Sequence, residues 1–164
     1  MSRTAYLGPP GTFTQRAAEA LGPGDELVPM VTPAAVIAAV AAGELDAGVV
    51  PFENSIEGEI AASLDALAEV APEILIVGEQ IIRVSFTLYR LPDDRSPLMG
   101  VVSHPAALTQ CARYLRQVGV STEASSSTAA ACAQIAEGAL TGMGALAAPG
   151  AGELYGLVPA LTEV

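Results

Sequence analysis

Four short segments of the chain carry the small, hydroxyl, amide and imidazole side chains that could bind a polar ligand. They span residues 8–12, 53–58, 103–106 and 125–128, and each is predicted to follow a strand, close to the start of a helix. Ligands of parallel sheets bind beyond the carboxyl ends of the strands, and helix N-termini attract anions through their free N–H groups. The pattern therefore favours a small carboxylate ligand. The alternative, open for each segment, is that these residues only cap their own helices.

Composition excludes several kinds of chemistry. All seven basic residues are Arg, so the chain has no Lys for a Schiff base or for a phosphate-binding loop. His104 is the single histidine, and Cys111 and Cys132 lack metal-binding or disulfide-framework spacing. The net charge of −11 argues against nucleic-acid binding. We expect neither a metal nor another cofactor.

An internal repeat gives the fold class. The segment from Leu7 to about Leu45 is echoed 95 residues later, followed by a one-residue insertion. Strands alternate with helices in both copies, which predicts an α/β fold with parallel-rich sheets. Two similar lobes with a ligand cleft between them are expected. The most informative matches pair Pro10 with Pro105, Gln15 with Gln110, Gly24 with Gly119 and Gly43 with Gly138.

Lobe boundaries follow from the same pattern. We predict that residues 1–76 plus roughly 155–164 form lobe 1 and that residues 77–154 form lobe 2. The stretch Ile74–Leu91 is rich in β-formers and long enough for strands passing between lobes. The pattern predicts six further strands: Thr4–Leu7, Leu27–Val31, Ala47–Phe52, Gly100–Ser103, Val120–Ala124 and Met143–Ala147. It predicts helices after the N-cap Thr12, from the N-cap Thr32 to Gly43, from Ile60 to Ala71, over Pro105–Val118 and from the N-cap Ser127 to Gly138, and a short helical piece ending near Tyr155.

Four phrases, in this order and spacing, resemble the catalytic domain of prephenate dehydratase. They are GPPGTFTQRAA at 8–18, VVPFENSIEG at 49–58, VVSHPAALTQC at 101–111 and SSTAAA at 126–131. The resemblance covers essentially the whole chain. It implies two α/β lobes of periplasmic-binding-protein-like architecture. It also implies conversion of prephenate to phenylpyruvate in phenylalanine biosynthesis, a carbon–oxygen lyase reaction that needs no cofactor.

The resemblance also implies site residues. Asn54, Ser103 and Gln110 match family catalytic positions. From the residues alone, Asn54 could instead cap a helix with Glu57 as its partner. Gln110 could equally face solvent, and His104 could act as an acid or only shape the turn before Pro105. The implied substrate-binding residues are Thr12, Phe13, Glu53, Ser55, Gly58, His104, Pro105, Ser127 and Thr128.

Some family features are not found in these 164 residues. Ala106 stands where the family often has Gln. The Thr-Arg-Phe motif that follows the segment matching Leu154–Val164, and the C-terminal ACT domain, do not occur. The resemblance gives that Thr the task of assisting the departing hydroxyl, so weakened dehydration is expected. Two alternatives are a prephenate decarboxylase-like enzyme of secondary metabolism, against which the intact Glu53-Asn54-Ser55 phrase speaks, and a non-catalytic carboxylate-binding module.

The sequence also predicts where the protein is found and what it binds. The first residues, MSRTAYLGPPGTF, lack the apolar core of a secretion signal, and no apolar run is long enough for a membrane span. We therefore expect a cytoplasmic protein whose partner is the small molecule prephenate, without nucleic acid or membrane. A homodimer or higher homo-oligomer is expected.

Overall fold

The computed structural model describes residues 2–55 and 58–164, which divide into two compact units. The first unit runs to Pro9 and resumes as Phe13–Arg83. The second unit consists of Pro10–Thr12 and Val84–Val164. Three residues of the turn that follows the first strand therefore belong to the second unit.

A three-stranded parallel sheet forms the centre of the first unit. In chain order its elements are β1 (Arg3–Leu7), α1 (Phe13–Leu21), β2 (Glu26–Met30), α2 (Pro33–Ala41), β3 (Ala47–Val49), β4 (Glu53–Asn54), β5 (Gly58–Glu59) and α3 (Ala61–Val70). The sheet order is β2-β1-β3, and β4 pairs with β5 as a separate antiparallel hairpin. The helices between parallel neighbours supply the crossovers that such pairing requires.

Helix α2 shows how sequence sets a boundary in this unit. The Thr32 hydroxyl accepts a hydrogen bond from the Ala35 N–H at 3.1 Å, and Pro33 occupies the first turn, where its missing N–H costs nothing. Val36 then packs with Ala5 of β1 and with Leu45 in a buried cluster. The predicted cap and helix start are confirmed.

The second unit contains a larger, mixed sheet. Its elements are β6 (Thr87–Arg90), β7 (Gly100–Ser103), α4 (Pro105–Gln110), α5 (Ala112–Val118), β8 (Ser121–Ala124), α6 (Thr128–Gly138), β9 (Met143–Ala147), a 3₁₀ helix (Gly152–Tyr155) and β10 (Val158–Leu161). The sheet order is β10-β6-β9-β7-β8, with β7 parallel to both β8 and β9. Strand β6 is antiparallel to β9 and to β10.

The repeat predicted from sequence appears as a shared topology. The order β2-β1-β3 in the first unit matches β8-β7-β9 in the second, and all four pairings are parallel. The predicted α/β class with parallel-rich sheets is thereby confirmed. In the described residues, no helix is both long and apolar enough to cross a membrane.

Tyr89 of β6 links the larger sheet to the loop after β9. Its ring is buried, and its hydroxyl oxygen accepts a hydrogen bond from the Gly150 N–H at 2.8 Å. A Cβ at Gly152 would lie 2.2 Å from Cδ1 of this ring. Only glycine therefore fits at position 152.

A buried carboxylate holds the turn between β6 and β7. The side chain of Asp94 is 2% exposed and pairs with Arg90 at 2.7 Å. It also accepts hydrogen bonds from the N–H of Gly142 at 2.7 Å, the N–H of Ser96 at 2.9 Å and the Ser96 hydroxyl. These donors, those of Ser96 first, hold the pKa of Asp94 well below its usual range.

Several sequence predictions were wrong. Val158–Leu161 joins β6 in the second unit, so residues 155–164 do not belong to lobe 1 as predicted. Within Ile74–Leu91 only Thr87–Arg90 is a strand, because residues 75–86 pair with no neighbouring strand in the described structure. The strand predicted to reach Phe52 ends at Val49, and the helix predicted over Pro105–Val118 is interrupted at Cys111.

Candidate functional site

Two of the four candidate segments meet at the carboxyl edge of the parallel strands in the second unit. Strand β7 ends at Ser103 and its neighbour β8 ends at Ala124. The Ser125 N–H donates to the Ser103 carbonyl oxygen at 2.9 Å, which continues the parallel ladder beyond both strands. Segments 103–106 and 125–128 therefore lie side by side, as sheet topology predicts.

The start of α6 lies at this edge. The Ser127 hydroxyl accepts from the Ala130 N–H at 2.9 Å, and the Ser127 carbonyl accepts from the Ala131 N–H at 3.1 Å. In helix geometry the N–H groups of Thr128 and Ala129 have no intrahelical acceptor. Ser127 and Thr128 are half-buried. The capping role of Ser127 is confirmed, and the helix start has the polarity to receive an anion.

Ser103 is placed differently from what a substrate donor requires. It is fully buried, and its hydroxyl donates to the Leu146 carbonyl oxygen at 2.6 Å. A substrate carboxylate could accept from this hydroxyl only if that bond were broken. This bond ties the end of β7 to β9.

Of the candidate residues that follow Ser103, one caps helix α4 and the others are exposed on the surface. The Nδ1 atom of His104 accepts from the Ala106 N–H at 3.3 Å, so His104 caps α4 with Pro105 in the first turn. This contact is consistent with the second interpretation given above, in which His104 shapes the turn before Pro105. Gln110, at the end of α4, is exposed, as is Pro105.

The turn containing Thr12 packs on the loop after β9. The Tyr155 hydroxyl donates to the Pro10 carbonyl oxygen at 3.0 Å, and burial raises the pKa of Tyr155, which keeps this donor protonated. Gly11 has a φ of +89°, and a Cβ there would lie 3.1 Å from the Cβ of Ala151. Thr12 is buried. The segment 10–12 thus belongs to the second unit and contacts the residues that follow β9.

The first unit carries the Asn54 segment on a hairpin that sequence analysis did not predict. Asn54 of β4 is half-buried and lies opposite Gly58 of β5. Glu53 and Ser55, on either side, are exposed. Helix α3 begins at Ala61, so Asn54 does not cap it. Glu57, its suggested capping partner, lies outside the described residues.

Arg16 is a candidate that the sequence reasoning missed. It lies on α1, three residues after the predicted binding residue Phe13, with its guanidinium carbon 5.9 Å from the centre of the Phe13 ring. Its Nη1 atom is buried and has no hydrogen-bond partner in the described residues. The sequence feature that could have pointed to Arg16 is its place in the first helical turn after the GPPGTF phrase. A guanidinium with such a buried Nη1 atom is suited to binding a carboxylate.

The described residues give little support for catalysis by a thiol or by a bound metal. Cys111 and Cys132 are buried free thiols, and burial raises the pKa of Cys132 to about 12 and also raises that of Cys111. Both thiols are therefore poor nucleophiles near neutral pH. No cluster of His, Cys, Asp and Glu that could hold a metal occurs in the described part of the chain. The groups that remain for binding a ligand are neutral hydrogen-bond donors and the guanidinium of Arg16.

Comparisons with known proteins show the family to which the chain belongs. A sequence model of the prephenate dehydratase family matches residues 4–164. The chain is 42% identical over 167 residues to the prephenate dehydratase of Amycolatopsis methanolica, covering 100% of this chain and 54% of that protein. It is 37% identical over 158 residues to arogenate dehydratase 1 of Petunia hybrida, covering 94% of this chain and 37% of that protein.

A solved structure gives the same result. The prephenate dehydratase of Arthrobacter aurescens in complex with L-Phe matches with a TM-score of 0.88 and 29% identity, covering 99% of this chain and 55% of that chain. The chain spans about half the length of the curated relatives it matches. Because the family match extends from residue 4 to residue 164, the chain belongs to the prephenate dehydratase family.

Proposed function

We propose that this chain is the catalytic domain of a prephenate dehydratase, a carbon–oxygen lyase that converts prephenate to phenylpyruvate in phenylalanine biosynthesis. The observation that carries the proposal is the family match over residues 4–164, together with 42% identity to a prephenate dehydratase. Within the described residues, the four phrases include the turn after β1, strand β4, the start of α4 and the start of α6.

The reaction demands positioning more than covalent chemistry. Prephenate loses CO₂ and its ring hydroxyl, and the formation of the aromatic ring drives both departures. The protein must hold two carboxylates and the ring so that the C–CO₂ and C–OH bonds break together, and it must donate a proton or hydrogen bond to the departing hydroxide. Neutral donors aimed at developing charge meet this demand.

The described residues suggest how the carboxylates would be held. The free N–H groups at the start of α6, beside Ser127 and Thr128, favour an anion. Thr12 would add a hydroxyl from the neighbouring turn. In the first unit, considered by itself, the Arg16 guanidinium and the Phe13 ring are a candidate pair for a carboxylate and an apolar group. Metal and thiolate chemistry is unnecessary in this scheme.

Asn54 and Gln110 are the proposed catalytic amides. Asn54 is half-buried on a short hairpin, with its backbone fixed by pairing to Gly58, so its amide can donate to a substrate oxygen. Gln110 is exposed at the end of α4, the helix that follows β7. Ser103 would act indirectly by fixing the edge on which these segments are built.

Arogenate is the second candidate substrate. It differs from prephenate in carrying an amine where prephenate has the side-chain ketone, and the reaction at the ring is the same. The 37% identity to arogenate dehydratase 1 of Petunia hybrida supports testing it. We further propose a cytoplasmic homo-oligomer that binds neither nucleic acid nor membrane.

A direct assay tests the proposal. Purified chain is mixed with prephenate, and phenylpyruvate is followed by its ultraviolet absorbance, with arogenate and phenylalanine formation measured in parallel. Appearance of phenylpyruvate is the expected result. Consumption of prephenate without an aromatic product would indicate decarboxylation alone, and binding without turnover would indicate a carboxylate-binding module.

Two variants test the site. Asn54→Ala should lower kcat about a hundredfold or more, because it removes an oriented donor to developing charge. Glu59→Gln, on the paired strand of the same hairpin, is the matched control and should leave kcat within about threefold of the parent. Equal activity of the two variants would remove Asn54 from the proposed site.

A further inference from the structure

The loop that follows β9, residues 148–157, is held to the larger sheet by one buried side chain. The Tyr89 hydroxyl accepts a hydrogen bond from the Gly150 N–H at 2.8 Å and donates to the Ala148 carbonyl oxygen at 3.4 Å. The Ala151 N–H donates to the same carbonyl oxygen at 3.0 Å, which closes the start of the loop into a turn. This loop therefore offers a fixed surface on which another segment can be placed.

A turn of the same unit rests on this loop. The Tyr155 hydroxyl donates to the Pro10 carbonyl oxygen at 3.0 Å, and a Cβ at Gly11 would lie 3.1 Å from the Cβ of Ala151. The carbonyl that Tyr155 holds is two residues before the buried Thr12. The turn and the loop both belong to the second unit, so these contacts are formed within one compact unit.

We propose that Tyr155 is a positioning residue for the substrate, because its hydrogen bond to Pro10 fixes the turn that presents the Thr12 hydroxyl. This inference rests on the proposed function, in which Thr12 contributes a donor to the ligand. The Tyr155 proton is directed at a backbone carbonyl, so we assign its effect to the turn and not to a contact with the reacting atoms. Displacement of a binding group by about 1 Å can cost about a hundredfold in rate, so one hydrogen bond to the turn is enough to matter.

The hydroxyl, more than the ring, is the part of Tyr155 that holds the turn. Burial raises the pKa of Tyr155, so the hydroxyl remains a donor throughout the neutral range. The next residue after the held carbonyl is Gly11, whose φ of +89° lies in a region where glycine rotates at little cost. Release of the Pro10 carbonyl would therefore let the backbone rotate at Gly11 and displace Thr12.

The kinetics of Tyr155→Phe with prephenate provide the first test. This change keeps the ring and removes the hydroxyl, and it should raise KM about tenfold while kcat changes less than about threefold, since a misplaced binding group weakens ground state and transition state alike. A merely structural role would instead lower the folded fraction, and so lower kcat at an unchanged KM. Tyr114→Phe, on α5 of the same unit, is the matched control and should leave both constants within about twofold of the parent.

A double-mutant cycle provides the second test. If Tyr155 acts through Thr12, its hydroxyl loses its effect on substrate binding once the Thr12 hydroxyl is gone. The double variant T12A/Y155F should therefore have a KM within about twofold of that of Thr12→Ala alone. Independent effects would multiply, and the double variant would then be about tenfold worse than Thr12→Ala.

A third measurement does not depend on turnover. The NMR order parameter of the Thr12 methyl group should fall in Tyr155→Phe and stay at the parent value in Tyr114→Phe, because only the first variant releases the turn. An inactive parent chain would refute the proposed function, and the methyl measurement would still decide whether Tyr155 holds Thr12. The proposal is overturned by an unchanged order parameter, by an unchanged KM in an active Tyr155→Phe enzyme, or by multiplicative effects in the cycle.

Discussion

The two units build the same parallel three-strand motif but surround it differently. In the first unit the order β2-β1-β3 stands alone, and β2 is only partly covered. In the second unit the matching strands β8-β7-β9 are extended by β6 and β10, and both β7 and most of β9 are buried. The same topology is therefore compatible with very different degrees of burial.

Matched positions show what each environment permits. Thr32 and Ser127 both cap a helix, so the repeat preserves a structural role there. Gly8 and Ser103 also correspond, 95 residues apart. A Cβ at Gly8 would lie 2.9 Å from the Cβ of Pro29, whereas Ser103 has room for a hydroxyl bonded to Leu146. Caps and strand order are therefore shared by the two units, whereas the role of a matched side chain depends on the neighbouring strand.

The largest expected change in stability is at Gly152, and Gly48 provides the comparison in the first unit. Gly152→Ala should lower the free energy of unfolding by about 3 kcal/mol, because its Cβ would overlap the buried Tyr89 ring. Gly48→Ala, in the first unit, should cost about 1 kcal/mol, since its nearest neighbour is a valine methyl group, Cγ1 of Val36 at 2.7 Å. Urea unfolding measures both, and equal losses would contradict the difference in burial.

The stability of the two units at low pH provides a second comparison. Asp94 in the second unit and Asp46 in the first both have a lowered pKa, through Ser96 donors and through the Arg3 N–H respectively. Each carboxylate therefore stabilises the fold fully above its unfolded pKa, near 3.8, and loses that contribution as pH falls below it. Asp94→Asn should flatten the acid limb of a stability–pH curve more than Asp46→Asn, because Asp94 has more donors. The reverse order would refute this interpretation.

A third comparison separates capping from binding. Ser127→Ala and Thr32→Ala should each lower the free energy of unfolding by about 1 kcal/mol, since each removes one helix cap. In the prephenate assay only Ser127→Ala should also lower kcat/KM, because Ser127 lies in a candidate binding segment. Identical activity of the two variants would assign Ser127 to capping alone.

The smallest effect on stability is expected at Gln110. It is exposed at the end of α4, so Gln110→Ala should change the free energy of unfolding by less than about 0.5 kcal/mol. A fall in kcat/KM without a stability change would support the proposed catalytic amide. Thr109→Ala, its exposed neighbour, is the control. Unchanged kinetics for Gln110→Ala would favour the solvent-facing interpretation.

Much of the fold was predictable because the repeat and the caps are local signals. Strand Met143–Ala147 and the caps Thr32 and Ser127 were predicted correctly. Strand β10 was missed because Pro159 weakens a strand pattern, although proline is tolerated at the edge that β10 occupies. The β-rich stretch before Thr87 was overpredicted, because β-propensity needs a partner strand that the described chain does not provide.

The site was less predictable for a different reason. The motif phrases located the loops, but sequence does not specify where a hydroxyl proton is donated. The bond from the Ser103 hydroxyl to the Leu146 carbonyl oxygen on the adjacent strand was not predicted, and whether Ser103 also meets a substrate stays a prediction. The buried Nη1 of Arg16 depends on side chains brought together by folding, which no spacing rule near Phe13 describes.

The membership of residues 10–12 in the second unit has a practical consequence for dissection of the protein. Neither unit is one uninterrupted stretch of polypeptide, since Pro10–Thr12 is flanked on both sides by chain of the first unit. A fragment beginning at Val84 would leave the Tyr155 hydroxyl without its Pro10 acceptor and would uncover Ala151. Such a fragment would need a short peptide carrying Pro-Gly-Thr, supplied separately, to complete its surface.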